Sequence, residues 1–141
     1  MSILDLLFFI VGIVLSVMDL KTRRVSLLII YSYVFVYFVF RGAHLSQCIL
    51  GIICNLSLYA LCRILCRGGL GYGDIQYSVC TALFMEGDVL SILFANFISS
   101  FLGIIAFLSF MLFRKKLMVK YKLPFIPFMF AGSCITWIIK M

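Results

Sequence analysis

Charged side chains are scarce in this sequence. They make up 12% of its 141 residues, whereas hydrophobic residues make up 65% and aromatic residues 16%. Soluble domains carry about a quarter charged residues, so the composition excludes an ordinary soluble enzyme, a disordered segment and a nucleic-acid-binding domain. Histidine is scarcer still, because His44 is the only one in the chain. A Ser-His-Asp catalytic set is therefore excluded as well.

Six long apolar runs account for most of the chain. A helix that crosses a bilayer needs about 20 apolar residues, and no run alternates as the strands of a membrane barrel do. The sequence therefore predicts an all-α, polytopic membrane protein with six transmembrane helices in a single domain, residues 1–141. The six predicted helices are Ile3–Leu20, Val25–Phe40, Leu45–Cys66, Leu70–Met85, Val89–Phe113 and Leu123–Ile139.

Basic residues outnumber acidic ones by twelve to five, which gives a net charge of +7. Ten of the twelve cations follow the first, third and fifth runs, and only Arg41 and Lys140 fall on the other side. Because Lys and Arg stay on the cytoplasmic side of a membrane, this split predicts a multi-pass protein of the cytoplasmic membrane with both termini outside. We interpret the basic loops as orientation signals that touch anionic lipid headgroups, and we expect no nucleic-acid partner.

Cysteines and glycines offer no evident cofactor site. The six cysteines lie inside apolar runs without a Cys-x-x-Cys pair, so we interpret them as small packing residues rather than metal ligands or disulfide partners. The glycines at 68, 69, 71 and 73 lack the Lys-Ser/Thr of a phosphate-binding loop. The sequence therefore predicts no metal and no cofactor. The six cysteines are Cys48, Cys54, Cys62, Cys66, Cys80 and Cys134.

Two of the five carboxylates lie inside the predicted helices. Asp5, Glu86 and Asp88 fall at outer helix ends, whereas Asp19 is near the end of the first run and Asp74 near the start of the fourth. Since these two runs cross in opposite directions, both acids fall at one depth, about one helical turn inside the cytoplasmic surface. An Asp at the centre of a membrane helix costs roughly 2.5 to 3.5 kcal/mol, so such residues mostly face a bundle interior or a wet cavity.

Two carboxyls held close together cannot both ionise readily, so the pair shares one proton. The ionised member is then a base for a water molecule, and the protonated member polarises a peptide carbonyl and later protonates the leaving amine. This is the chemistry of an aspartic protease. The alternative is that Asp19 is a helix-end residue that balances the charges of Lys21, Arg23 and Arg24.

Glycines precede the second of these acids, in Gly71-Tyr72-Gly73-Asp74. Glycine permits positive φ and the close approach of another backbone, and an extended substrate peptide would need such access. A flexible turn that simply connects two helices is the other interpretation, and both stay open at this point.

These residues resemble the motifs of a known family. Gly71-Tyr72-Gly73-Asp74 is similar to the GxGD motif of intramembrane aspartic proteases. Asp19, followed by a short basic stretch, resembles the first catalytic Asp of type IV prepilin peptidases. The segment 123–128, Leu-Pro-Phe-Ile-Pro-Phe, resembles the Pro-Phe-x-Pro-Phe element of the same family. Together with the six runs and their orientation, the resemblance covers nearly the whole chain.

The resemblance implies a function as well as a fold. Prepilin peptidases cleave the short basic leader from prepilin or pseudopilin precursors at the cytoplasmic face, just before the hydrophobic segment. It implies that Asp19 and Asp74 are the catalytic pair and that Gly71 and Gly73 form the turn that presents Asp74. It also implies that Pro124 and Pro127 shape the mouth of the last helix, where proline suits first-turn positions in any case.

The sequence departs from the family pattern at three places and lacks one segment. Val25-Ser26 stands where Ile-Pro is often found, Gln76 where a Lys is common, and Ile126 where a Gly is frequent. Many bacterial members also carry a cytoplasmic Cys-x-x-Cys zinc segment associated with N-methylation. The longest cytoplasmic loop here, residues 114–122, contains no Cys, so we expect peptidase activity without methyltransferase activity.

Two other functions remain alternatives. A transporter or channel subunit would use Asp19 and Asp74 as a proton or cation relay, but a relay places acids near the midplane and connects both surfaces. A catalytically inactive membrane scaffold is compatible with everything in the sequence. The oligomeric state and the particular precursor are not indicated by any motif.

Overall fold

The computed structural model describes residues 2–41, 45–65, 70–114 and 124–141. Within these ranges the chain forms six α-helices and no strand, which confirms the all-α class. His44 and the predicted basic loop from Lys115 to Lys122 lie outside the described residues. The helices are α1 (Ile3–Thr22), α2 (Leu27–Arg41), α3 (Leu45–Leu65), α4 (Tyr72–Phe84), α5 (Val89–Arg114) and α6 (Ile126–Lys140).

Each helix falls on one of the six predicted runs, but three starts are later than expected. α2 begins at Leu27 rather than Val25, α4 at Tyr72 rather than Leu70, and α6 at Ile126 rather than Leu123. At α2 and α4 the apolar run extends back into the connecting turn, where hydrophobicity alone does not mark the helix boundary, whereas Leu123 lies outside the described residues. These late starts all occur at one end of the bundle, the end that carries Asp19 and Asp74.

Both ends of the described chain meet at the opposite end of the bundle, called here the termini end. Asp5 and Met141 line the same surface depression there. Lys140 pairs with Asp88 at 2.9 Å, and Arg41 pairs with Glu86. The neighbouring Ser91 hydroxyl and the Lys140 ammonium hold the pKa of the Asp88 carboxyl below its usual range.

The two ion pairs at the termini end are exposed, and such pairs contribute only about 0–1 kcal/mol each. Helix packing must therefore supply the stability of the bundle. Phe8 of α1 stacks on Phe84 of α4, with ring centroids 3.9 Å apart and planes 6° from parallel. Both rings are buried, and Trp137 of α6 packs against Phe84 from another side.

The shortest helix, α4, lies at the centre of the bundle. Its 13 residues give a length of about 20 Å, less than the roughly 30 Å of a bilayer's hydrocarbon core. It contacts α1, α2, α3 and α6, and most of its side chains are buried, including Asp74, Tyr77 and Ser78. A helix this short is compatible with an apolar environment because its neighbours surround it.

The outward faces of the other helices are apolar. Leu28 and Phe35 of α2, for example, are 81% and 69% exposed. Three helical segments are long and apolar enough to cross a membrane: Ile3–Thr22, Cys48–Leu65 and Val89–Phe110. Since soluble proteins rarely expose apolar surface so extensively, these faces indicate a membrane protein. The number of passes and the orientation stay predictions.

A buried polar network joins α3, α4 and α5. The Asn55 amide donates to the Ser78 carbonyl at 2.8 Å and to the Thr81 hydroxyl at 3.0 Å. The Asn96 amide donates to Asn55 Oδ1 at 2.8 Å, and the Tyr59 hydroxyl donates to Asn96 Oδ1 at 3.0 Å. Because buried polar groups need hydrogen-bond partners, this network fixes how the three helices face one another.

The contact between α5 and α6 depends on Gly132. A Cβ at this position would lie 2.6 Å from the carbonyl oxygen of Ala95 and would also clash with the Ser99 hydroxyl. The first obstacle is backbone, which a side-chain rotation cannot move, so only glycine allows this approach of the two helices.

We therefore expect Gly132→Ala to destabilise the fold by about 1–3 kcal/mol, the usual cost of overpacking. The measurement is the thermal unfolding midpoint of the purified protein in detergent. Adding Ser99→Ala should recover only part of the loss, because the Ala95 carbonyl remains. If Ser99→Ala recovered all of the lost stability, the Ser99 side chain, and not the Ala95 backbone, would be the group that excludes a Cβ at position 132.

Candidate active site

Asp19 lies in the last turn of α1 and is buried, with 7% of its surface exposed. Its Oδ2 accepts a hydrogen bond from the backbone N–H of Ile126 at 3.3 Å. Ile126 is the first residue of α6, where backbone N–H groups have no partner within the helix. The carboxylate of α1 thus binds the N-terminus of α6, the end of a helix that favours negative charge.

The chain turns sharply after Asp19. Arg23 caps α1 in the left-handed conformation, with φ of 53°, and its N–H donates to the Asp19 carbonyl at 3.0 Å. The Thr22 hydroxyl donates to the Met18 carbonyl at 2.8 Å and accepts from the Arg24 N–H at 3.3 Å. These bonds end the helix one turn after Asp19 and bring Val25 against α4.

Asp74 is in the first turn of α4 and is 9% exposed. Its Oδ2 accepts from the backbone N–H of Gly71 at 2.9 Å, and Gly71 is the N-cap residue of the helix. A Cβ on Gly71 would lie 3.1 Å from that same oxygen, which is tight. The carboxylate therefore closes the start of its own helix, as in a capping box.

The glycines around Asp74 serve close approach rather than positive φ. Gly71 has φ of −72° and ψ of 151°, an extended conformation open to any residue. Gly73 is helical, and a Cβ there would lie 2.5 Å from Cγ2 of Val25. Of the two properties that glycine permits, Gly71 does not use positive φ, and the need for space is greatest at Gly73.

The two carboxylates lie at the same end of the bundle, close enough for Asp19 to act electrostatically on Asp74. Helices α1 and α4 are in contact. Asp74 also interacts electrostatically with Tyr59 of α3, whose ring packs against Phe125 at a centroid distance of 6.4 Å. Parts of four helices therefore surround the pair: the C-terminal end of α1, the C-terminal half of α3 and the N-terminal ends of α4 and α6.

The two prolines lie where α6 begins. Pro124 precedes the helix, and Pro127 is its second residue. Phe125, the N-cap residue, accepts from the N–H groups of Phe128 and Met129 through its carbonyl. With Pro127 lacking an N–H, the amide of Ile126 is the donor that this first turn offers to Asp19.

Sequence reasoning missed three contributions to this site: the Ile126 amide, Val25 and Tyr59. Backbone donors carry no residue-type signal, although a Pro at position 127 does mark where a helix starts. Val25 and Ile126 drew notice only as departures from a motif. Tyr59 gave no signal because a tyrosine in an apolar run is ordinary.

The arrangement offers two buried carboxyls with one oxygen each held in place. Among the described residues, each Oδ2 is bound by a backbone amide. No cluster of three or more His, Cys or carboxylate side chains occurs in the described ranges. The site is thus suited to proton transfer by a pair of acids.

The chain is similar to a known protein family along most of its length. A model of the type IV leader peptidase family matches residues 6–108. The matched range includes Asp19 and Asp74 and stops before Pro124. No curated protein matches the chain, and no solved structure matches it.

The contact of Gly73 with Val25 predicts a specific rescue. Gly73→Ala should lower the unfolding midpoint, at a cost of about 1–3 kcal/mol for overpacking, even though Ala favours helices over Gly by about 1 kcal/mol. Val25→Ala in the same chain removes Cγ1 and Cγ2 and leaves Cβ at 3.0 Å, so it should restore most of the stability. A double variant no more stable than Gly73→Ala would contradict the steric explanation.

Proposed function

The chain belongs to the type IV leader peptidase family, and we propose that it is a membrane aspartic endopeptidase that removes the leader of type IV prepilin-like precursors. In this proposal Asp19 and Asp74 are the catalytic pair. The observation that supports it is the location of these two buried acids at one end of the bundle, close enough to interact electrostatically and each with its Oδ2 held by a backbone amide.

The proposed reaction uses one proton and one water molecule. The ionised carboxyl removes a proton from the water, whose oxygen attacks the carbon of the scissile peptide. The protonated carboxyl donates a hydrogen bond to the peptide oxygen and then gives its proton to the leaving amine. The proton taken from water remains on the pair, so the site is ready for another cycle after the products leave.

The amide contacts support this assignment because proton transfer requires fixed geometry. A carboxyl whose second oxygen is bound to backbone cannot rotate freely, so its Oδ1 presents a lone pair in one direction. Backbone donors also remain in place whatever the protonation state of the acid. The two amides thus hold the pair in a fixed geometry.

We propose that the protein crosses the cytoplasmic membrane six times with both termini outside. The placement of Ser2, Asp5 and Met141 at one end of the bundle is consistent with an even number of passes. The opposite end carries Asp19 together with the exposed residues Lys21, Arg23 and Arg24. Under the positive-inside rule this is the cytoplasmic end, where a prepilin leader is exposed.

Electrostatic attraction does not account for substrate capture. Prepilin leaders are basic, and ten cations fall on the predicted cytoplasmic side of this chain. We propose instead that the hydrophobic helix of the precursor partitions into the bilayer and diffuses laterally to the site. Anionic headgroups and salt then screen the repulsion between leader and enzyme.

Asp19→Asn and Asp74→Asn should each reduce cleavage by at least about 100-fold, the lower range for general acid–base catalysis. Asn is nearly isosteric, and its side-chain oxygen still accepts from Ile126 or Gly71, so folding should survive. The assay follows leader removal from a prepilin-type precursor in proteoliposomes. Asp5→Asn is the matched control, because it changes a carboxylate at the termini end and should cleave normally. Normal cleavage by either site variant would overturn the catalytic pair.

We expect the cleaved product to keep an unmodified N-terminal amine. The described residues and the sequence of the 114–122 loop contain no Cys-x-x-Cys segment, which implies peptidase activity alone. The measurement is the intact mass of the mature product, formed with this protein as the sole enzyme and S-adenosylmethionine present. A mass increase of one methyl group would contradict this expectation.

A further inference from the structure

We propose that Arg63 is a positioning residue for Asp74, which it controls by holding the turn that contains Gly71. The proposal rests on the proposed function only in taking Asp74 as a catalytic acid. Arg63 lies in the last turn of α3, and two contacts of its guanidinium bridge α3 to the start of α4. Neither contact involves the carboxylate itself.

The first contact is a hydrogen bond to the turn. Arg63 Nη1 donates to the backbone carbonyl of Leu70, the residue immediately before Gly71. This carbonyl belongs to the connection that follows α3 and is not one of the helix's own terminal groups. The bond therefore joins the end of one helix to the approach of the next.

The second contact holds the other side of the same glycine. The guanidinium carbon of Arg63 lies 3.7 Å from the centroid of the Tyr72 ring, within the range of a cation–π interaction. Tyr72 is 71% exposed, so little else fixes its orientation. Leu70 and Tyr72 are both engaged by one side chain, and Gly71 lies between them.

The two contacts of Arg63, with Leu70 and with Tyr72, are called here the clamp. Gly71 links this clamp to Asp74. Its N–H is the donor to Asp74 Oδ2, and glycine loses more conformational freedom on ordering than any other residue. A glycine with unrestrained neighbours would place its N–H poorly, and the carboxylate would then rotate. By fixing both neighbours, Arg63 keeps the amide directed at Asp74.

A basic residue at the end of a helix also has general roles, which must be separated from this one. A cation there interacts favourably with the helix C-terminus and sets membrane orientation. Lysine would serve both purposes equally well. It would not reproduce a planar group that stacks on Tyr72 and donates to Leu70 at once. Arg63→Lys therefore distinguishes the clamp from the charge.

The activity test compares Arg63→Gln and Arg63→Lys with wild type in the proteoliposome cleavage assay. Because small misplacements of a catalytic group are costly, we expect Arg63→Gln to reduce kcat by about tenfold with KM changed less than about twofold. Arg63→Lys should show most of the same loss. Arg24→Gln, which removes an exposed cation from the α1–α2 turn, is the matched control and should leave kcat unchanged.

A second measurement does not depend on cleavage. Leu–Gly pairs occur at 50–51, 70–71 and 102–103, so Leu ¹³C-carbonyl and Gly ¹⁵N labelling reports on three amides. The signal of Gly71 is assigned as the one that changes its chemical shift in the Asp74→Asn variant. We expect its hydrogen exchange to accelerate at least about tenfold in Arg63→Gln and Arg63→Lys, while Gly51 and Gly103, which lie inside helices, keep their rates.

The two readouts separate the possible failures. Unchanged Gly71 exchange in both Arg63 variants overturns the clamp, whatever the cleavage rates are. If Arg63→Lys has full activity and the wild-type rate of Gly71 exchange, a positive charge alone is sufficient at this position. That result would also overturn the clamp. If the wild-type protein does not cleave, the proposed function fails, but accelerated exchange still supports the clamp as a structural element.

Discussion

Placing carboxylates inside an apolar bundle requires hydrogen bonds to stabilise them, and here the donors are backbone amides at helix starts. Asp19 takes the first amide of α6, and Asp74 takes the amide before α4. Both donors carry the partial positive charge of a helix N-terminus. Three helix ends must therefore converge on the pair, and this requirement explains why α1 ends one turn after Asp19 and why α4 and α6 start where they do.

Much of this architecture follows from sequence patterns. The six helices were predictable because each falls on a long apolar run, and the acids were conspicuous because charge is so rare within these runs. The helix starts were not predictable, since apolar residues such as Val25 and Leu70 lie in the turns as well. The fourth run was predicted to be short, but the enclosure of α4 was not predictable, because its neighbours determine how much of its surface is exposed. The relation of Gly73 to Val25 is a contact between segments far apart in the chain, which no local pattern records.

The departures from the family motifs have a structural context. Ile126 contributes its amide to Asp19, a group that every residue except proline possesses, so this contact does not depend on its side chain, which is buried in the core. Val25 packs on Gly73, so its size and the absence of a side chain at Gly73 are complementary. Gln76 lies on the partly exposed side of α4, and its Oε1 has no hydrogen-bond partner among the described residues. Gln76 is thus the departure from the family motif at which the residue present carries an unpartnered polar atom.

The separation of the two ends of the bundle has a practical side. Ser2 and Met141 lie at the termini end, and the stretch of α1 from Ile3 to Asp19 spans about 25 Å. A fluorescent protein, an affinity tag or a surface tether joined at either terminus would thus stand about 25 Å from the acids. Such fusions leave the opposite face clear, and immobilised protein would present its carboxylates to vesicles or peptides added from solution.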